Sequence, residues 1–269
     1  MADPILVVVP TRDRPAMLAE ALASVRGQSD PGWLAVVADD GDGPPARDAL
    51  PAALSADPRV AFERTTARSP GGARNAAIRR GAEILGKEPA LVAFLDDDDL
   101  WLPTHLALAR AAILLAPASA FAHGAAVTRA ERAESPYHER EEGPLSGDVF
   151  RALLRRDFVA TSSVLARGDA LLSEGLFRED LRHGEDWDLW LKLARRGPVA
   201  FVAEPAVVYR SHEGSLSREM TEKASDQAQV LSHWWRRRHL LAPRERRLLR
   251  RELARRLRRH ARRLRREGP

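Results

Sequence analysis

The chain has 269 residues, a formal net charge of +5, 44% hydrophobic and 30% charged residues, and no cysteine. That length suits one large domain or two small ones with a substantial core. The lack of cysteine excludes a disulfide scaffold, a thiol nucleophile and cysteine-ligated zinc or iron–sulfur sites.

The charge is unevenly divided. From Arg236 onward there are 16 arginines and 3 glutamates, a balance of +13, which leaves −8 for the body. The five apolar residues after Pro4 have no basic leader region before them. The longest apolar stretch, 111–122, is interrupted by Pro117 and Ser119 and falls short of the ~20 residues a span requires. A cytoplasmic location is therefore the expectation.

Apolar runs and helical periods alternate from the start. A strand is expected over 5–9, a helix over 16–25, strands over 33–38 and 60–62, and a helix over 72–85. A strand over 90–95 and a helix over 102–115 follow. Residues 129–148, polar and broken by Pro136, Gly143, Pro144 and Gly147, read as a mobile loop. Beyond them a helix is expected over 148–155, a strand over 159–166, a helix from 184 to 196 stopped by Gly197-Pro198, and strands over 199–202 and 206–209. This order predicts an α/β fold with a mostly parallel sheet flanked by helices. Ligands of such sheets bind outside the C-terminal strand ends. Three polar loops fall there: Pro10-Thr11-Arg12-Asp13, Asp39-Asp40-Gly41 and the run Asp96 to Asp99.

The aspartate run is the sharpest of these. Four like charges at the edge of a buried strand repel one another and lose solvation unless something positive compensates. Hard cations such as Mg²⁺ or Mn²⁺ take oxygen ligands and often share them with substrate phosphates. An exposed acidic loop or a helix N-terminus would account equally well for the run taken alone.

In order along the chain, Val7-Val8-Val9-Pro10-Thr11, Ala23-Ser24-Val25-Arg26-Gly27-Gln28, Val36-Val37-Ala38-Asp39-Asp40-Gly41, Gly71-Gly72-Ala73-Arg74-Asn75, Asp96 to Asp99 before Leu100-Trp101-Leu102-Pro103, and Glu185-Asp186 resemble the successive motifs of the inverting glycosyltransferases of family 2, over roughly residues 4–215. The resemblance implies a GT-A (Rossmann-like) fold: a nucleotide-sugar-binding half at 1–128, a smaller acceptor-side and catalytic half at 129–215, and a basic helical tail at 216–269. It implies transfer from a nucleoside-diphosphate sugar, UDP-linked, to an acceptor hydroxyl, with a divalent metal, Mn²⁺ or Mg²⁺. Pro10, Thr11 and Arg12 would line the nucleotide site, with Asp39 accepting from the base and Arg74 contacting the diphosphate or base. Asp98 would ligate the metal with Asp96 in support. Asp96 or Asp97 would hold the ribose or a water of the metal shell. Asp186, beside Glu185, would be the base that takes the acceptor's proton, and His212 a further metal ligand. On local sequence alone the Glu185-Asp186 pair also reads as acids in a helix's first turn, His212 as a solvated loop residue, and Gly71-Gly72 as a plain loop. The turn after the first strand departs from the family in carrying Arg12 and Asp13 where an aromatic and an asparagine are usual, which puts base stacking there in doubt and leaves Arg12 for a phosphate. The processive synthases' Gln-x-x-Arg-Trp motif is absent, since Gln227 and Gln229 precede Trp234-Trp235 without that spacing. Single addition to a lipid-linked glycan, a polysaccharide or a small molecule is expected.

Beyond Pro243, Leu249, Leu253, Leu257 and Leu264 recur at helical steps among arginines. Such a helix suits an anionic membrane, for a peripheral location, or docking on the acidic body of its own chain or of a second copy. No base-reading motif argues for nucleic acid. Two rival readings remain. A sugar nucleotidyltransferase would show a glycine-rich loop after its first strand, and Pro10 to Asp13 has no glycine. A non-catalytic membrane or nucleic-acid adaptor acting through the tail leaves the ordered acidic motifs without a role.

Overall fold

A computed structural model describes residues 3–130, 133–137, 145–211 and 220–265. Its sheet begins with β1 (Ile5–Thr11), β2 (Trp33–Asp39), β3 (Val60–Arg64) and β4 (Leu91–Phe94), interleaved with α1 (Pro15–Arg26), the single turn α2 (Ala52–Ser55) and α3 (Pro70–Leu85). These four strands pair in parallel, in the order β3-β2-β1-β4. Near-continuous apolar runs form them because both faces are covered. Leu6 and Val8 of β1 join one core layer, under α3; Ile5, Val7 and Val9 join the other, under α1.

The rest of the sheet turns antiparallel. Its elements are β5 (Leu100–Trp101), α4 (His105–Leu115), β6 (Phe121–Ala130), β7 (Ala133–Pro136), α5 (Phe150–Arg155), β8 (Leu165–Arg167), α6 (Gly168–Ser173), α7 (Glu185–Ala194) and β9 (Ala200–Arg210). The order continues β4-β8-β6-β9-β5, with β7 on β6. β8 runs antiparallel to β4 and β6, and β5 to β9, while β6 and β9 are parallel. The sheet is thus mixed, with its parallel half carrying the first two polar loops and the aspartate run.

Several elements differ from expectation for identifiable reasons. The strand expected over 159–166 starts only at Leu165, because Thr161–Ser163 forms a 3₁₀ turn. There the Ser163 hydroxyl donates to Ala160 O at 2.7 Å, a local side-chain bond that competes with an extended backbone. The two strands expected over 199–202 and 206–209 are one, β9, interrupted by a bulge: Gly124 pairs with Val202 but Ala126 with Val207. Pro205, which cannot donate to a ladder, sits in the extra segment. Part of the loop expected over 129–148 is ordered strand, since β7 pairs with β6 from Val127↔Pro136 to Ala130↔Ala133; residues 138–144 lie outside the described ones.

The C-terminal region forms two helices, α8 (Met220–Arg236) and α9 (Pro243–Leu264). Val230, Leu231 and Trp234 of α8 and Leu249 of α9 are buried in the same core layer as Phe94, Trp187 and Trp190. Of the leucine stripe, Leu249 is fully buried, Leu253 packs against the core and Leu257 is 49% exposed. Docking on the chain's own body accounts for the inner half of the stripe. Among the described residues no helix is long and apolar enough to cross a membrane.

Candidate active site

A cavity of about 880 Å³ opens where the polar loops meet, lined by Pro10 and Thr11 at the end of β1, by Arg12 beyond it, by Asp96 to Asp99 after β4, by Arg74 of α3, and by Glu185 and Asp186 of α7. The four aspartates do not act as a block. A tight turn, with Asp99 N donating to Asp96 O at 3.0 Å, gives each carboxylate its own set of partners, with Arg14 shared between Asp97 and Asp98. Asp97 accepts from the Thr11 hydroxyl at 2.7 Å and is buried. Burial, with the charges of Asp98 and Asp96 adding to it against the Thr11 bond, pushes its carboxyl up to about 6. Asp99 accepts from the Ser162 hydroxyl at 2.5 Å and from Arg210 N at 3.0 Å. Burial first, then Asp96 and Asp98, raises its carboxyl well above the usual range. Asp98 pairs with Arg14 at 3.0 Å and Asp96 with Arg74 at 2.6 Å.

Asp96, Asp98 and Asp99 each offer a carboxylate oxygen within 4.8 Å of the others. An all-oxygen set of this kind suits a hard divalent cation, so the residues fit the metal the resemblance implies. Asp96 and Asp98 keep the more accessible side chains, 29% and 18% exposed. Asp97 instead accepts from Thr11 and Arg14.

Arg74 links this cluster to the acids of α7. Its Nη2 donates to Asp96 at 2.6 Å and its Nη1 to Glu185 at 2.6 Å, with the guanidinium 5.3 Å from the Phe177 ring centroid. Burial opposes the charge of Arg74, and Asp96, Glu185 and Asp186 more than restore it. The arginine reaches this depth because α3 begins against the body of the protein. Ser69 caps it by accepting from Gly72 N at 3.2 Å. A Cβ on Gly71 would lie 2.6 Å from Arg178 O and one on Gly72 2.5 Å from the Ala67 methyl. The glycine pair is therefore required for close packing of a helix start, not for a free loop.

α7 begins at Gly184, whose φ of 80° favours glycine. Glu185 and Asp186 follow in the first turn, where the helix dipole favours acids. Asp186 accepts from the Thr161 hydroxyl at 3.0 Å and from Trp187 N at 2.7 Å. Trp187 and Trp190 are core residues; the Trp187 indole donates to Leu153 O at 2.8 Å. Burial, helped by Asp186 and opposed by Arg74, pushes Glu185 up to about 7. The folded state thus holds a proton that an unfolded chain releases near 4.5. Its contribution is present below that value and lost as pH rises to about 7, on the order of 3 kcal/mol at ~1.4 kcal/mol per unit. Glu185→Gln is expected to flatten the fall in urea midpoint between about pH 5 and 7. An unchanged slope would place that titration on another group.

Asp39 does not line the cavity. Its carboxylate accepts from Gly41 N, Ala46 N and Arg64 Nη1 and shapes the loop after β2, while Asp40 lines the cavity in its place. Arg12, exposed, pairs with Asp42 at 3.0 Å. His212 lies outside the described residues. Sequence reasoning missed Arg14, Thr161, Ser162 and Arg210. Arg210 clasps the aspartate turn through Asp98 O and Asp99 and also pairs with Glu20. The only available signal for Thr161 and Ser162 was a run of three hydroxyl residues inside an otherwise apolar segment.

The model of the family described as glycosyl transferase family 2 matches residues 6–173. An uncharacterized glycosyltransferase of Rickettsia conorii is 28% identical over 205 residues, covering 72% of this chain and 31% of the relative. The succinoglycan biosynthesis protein ExoW of Rhizobium meliloti is 37% identical over 101 residues, 37% of this chain and 31% of that protein. The chain therefore spans about a third of the length of these curated relatives. Among solved structures, S. aureus TarS residues 1–349 in complex with UDP-GlcNAc shares the fold with a TM-score of 0.66 at 18% identity, covering 96% of this chain and 72% of that one. The mannosyltransferase PcManGT of Pyrobaculum calidifontis, in complex with GDP-Man and Mn²⁺, gives 0.63 at 18% identity over 94% and 75%. The family match, over more than half of the chain, assigns it: this protein belongs to glycosyl transferase family 2.

Proposed function

We propose that the chain transfers a sugar from a nucleoside-diphosphate sugar, UDP-linked, to an acceptor hydroxyl in single additions, with inversion at the anomeric carbon and dependence on a divalent metal. The observation that carries this reading is that the Asp96/Asp98/Asp99 trio and Asp186 line one cavity. The solved structures with the same fold include complexes with UDP-GlcNAc and with GDP-Man and Mn²⁺.

In this reading Asp186 accepts the proton of the acceptor hydroxyl as its oxygen bonds to the anomeric carbon. The bond from that carbon to the diphosphate breaks, and the nucleoside diphosphate leaves with the electron pair. Inversion follows from this single displacement, with charge developing on the sugar ring as in glycoside hydrolysis. Asp98, with Asp96 and Asp99, would hold the metal, which supplies Lewis-acid stabilisation of the leaving diphosphate. Pro10, Thr11, Arg12 and the loop after β2 would border the nucleotide. Thr161 and the Trp187 amide hold the Asp186 carboxylate in place, and Arg74 fixes Glu185 beside it. The reading includes a cytoplasmic location on the inner face of a membrane. Arg250, Leu257 and Arg258, exposed and on one face by helical spacing, support that part.

The test is nucleotide release from a panel of UDP-, GDP- and dTDP-sugars with Mn²⁺ or Mg²⁺. Release from at least one donor is expected, lowered by more than roughly tenfold with EDTA. If no donor is hydrolysed or bound, and EDTA leaves the thermal midpoint unchanged, the reading falls.

A further inference from the structure

Around the start of α7 the same cavity is walled by six arginines from parts of the chain far apart in sequence: Arg155 and Arg156 at the end of α5, Arg182 before α7, and Arg255, Arg256 and Arg259 of α9. Arg256 is buried. Its guanidinium lies 4.9 Å from the Trp187 ring centroid and donates to Arg155 O at 2.8 Å, which brings α9 next to Asp186. Its Nε is buried and has no partner among the described residues. Glu252 pairs with Arg255 and Arg256, at 2.7 and 3.0 Å. The side chains of Arg155 and Arg259 form no ion pair or hydrogen bond with a described residue.

The arginines near the aspartate run are placed differently. Arg12 and Arg68 pair with Asp42, Arg14 with Asp97 and Asp98, and Arg74 with Asp96 and Glu185. Positive charge there is already matched by carboxylates. At the α5–α9 wall, beside Asp157, Arg255 and Arg256 share the single carboxylate of Glu252, and Arg155 and Arg259 add two guanidiniums that repel these unless an anion joins them. A guanidinium fork matches phosphate oxygens in geometry and charge.

The geometry points to an acceptor that carries a phosphate ester, held by Arg155, Arg259 and their neighbours so that its hydroxyl meets Asp186. This inference rests on the transferase reading and extends it to the acceptor's chemical class. α9 is then part of the substrate site, to which it contributes Arg255, Arg256 and Arg259.

The probe is glucose 6-phosphate, with glucose as its neutral counterpart, titrated calorimetrically into the full chain. Glucose 6-phosphate is expected to bind and glucose not. Arg155→Gln with Arg259→Gln should weaken the binding at least roughly tenfold, and Arg155→Lys with Arg259→Lys should retain most of it. Arg79→Gln with Arg80→Gln should leave it within about twofold, since those exposed side chains lie outside the cavity and pair with Glu179 and Glu83. Equal binding of the two sugars, or wild-type affinity in the Gln pair, overturns the inference. So does binding to phosphatidylglycerol vesicles, but not to glucose 6-phosphate, that the Gln pair abolishes; the wall would then be a membrane surface. Without the acceptor, water can take the sugar, so donor hydrolysis still releases nucleotide. Release without binding of the phosphate probe therefore sinks this inference alone, whereas probe binding without release from any donor sinks the transferase reading and the acceptor role with it.

Discussion

Asp186→Asn is expected to lower sugar transfer by roughly 10²- to 10⁴-fold, the range for removing a general base, while nucleotide binding stays close to wild type. Asparagine keeps the size of the side chain, and its carbonyl can still accept from the Thr161 hydroxyl, which lies 3.0 Å from the carboxylate. What it loses is the capacity to take a proton. The Asp96/Asp98/Asp99 trio would face the diphosphate, whereas Asp186 is held by Thr161 and the Trp187 amide, so the donor side should be spared. Transfer assays paired with calorimetric titration of the nucleotide separate the two effects. Loss of nucleotide binding together with transfer would make Asp186 a structural residue.

Arg74→Ala should be among the most destabilising single changes in the chain. It leaves Asp96 and Glu185 without their shared cation, and breaking a buried ion pair from one side costs about 3–5 kcal/mol. At ~2–4 °C per kcal/mol for a domain of this size, the thermal midpoint should fall by about 10 °C. Lysine should not rescue it. Arg74 reaches its two carboxylates through separate nitrogens, Nη1 and Nη2, both at 2.6 Å, and one ammonium cannot span that fork. Combining Arg74→Ala with Glu185→Gln should recover part of the loss above about pH 7, where Glu185 would otherwise be stranded as a carboxylate. A midpoint within about 2 °C of wild type in Arg74→Ala would mean the bridge contributes little, as exposed pairs do.

The first half of the fold was legible because its signals are local. Apolar runs of β1, β2 and β4, broken by Gly, Pro and Asp, give strands, and the periods of α1, α3 and α4 give helices. β6 was not legible. Its sequence, Phe-Ala-His-Gly-Ala-Ala-Val-Thr-Arg-Ala, is rich in residues with little preference for strands, and it is extended because it pairs with β7, β8 and β9. The aspartate run was legible as a feature but its register was not, since four identical residues differ only in their partners. Those partners, Thr11, Arg14, Arg74, Ser162 and Arg210, come from as far as 113 residues away. Likewise the leucines of α9 announced an amphipathic helix, while nothing local indicated that Leu249 enters the main core or that Arg256 covers Trp187.

The docking of α9 also bears on the order in which the molecule is assembled. Arg256 meets Arg155 across 101 positions of chain, so this wall of the cavity closes through a long loop, after β1 to β4 can already have paired. A segment that joins late through one fully buried leucine, Leu249, and a largely arginine surface is a candidate for opening on its own, below the free energy of global unfolding. Amide exchange in α9 should then run ahead of exchange in β1 and β4, and the cavity would gain a door on that side while the sheet beneath it stays closed.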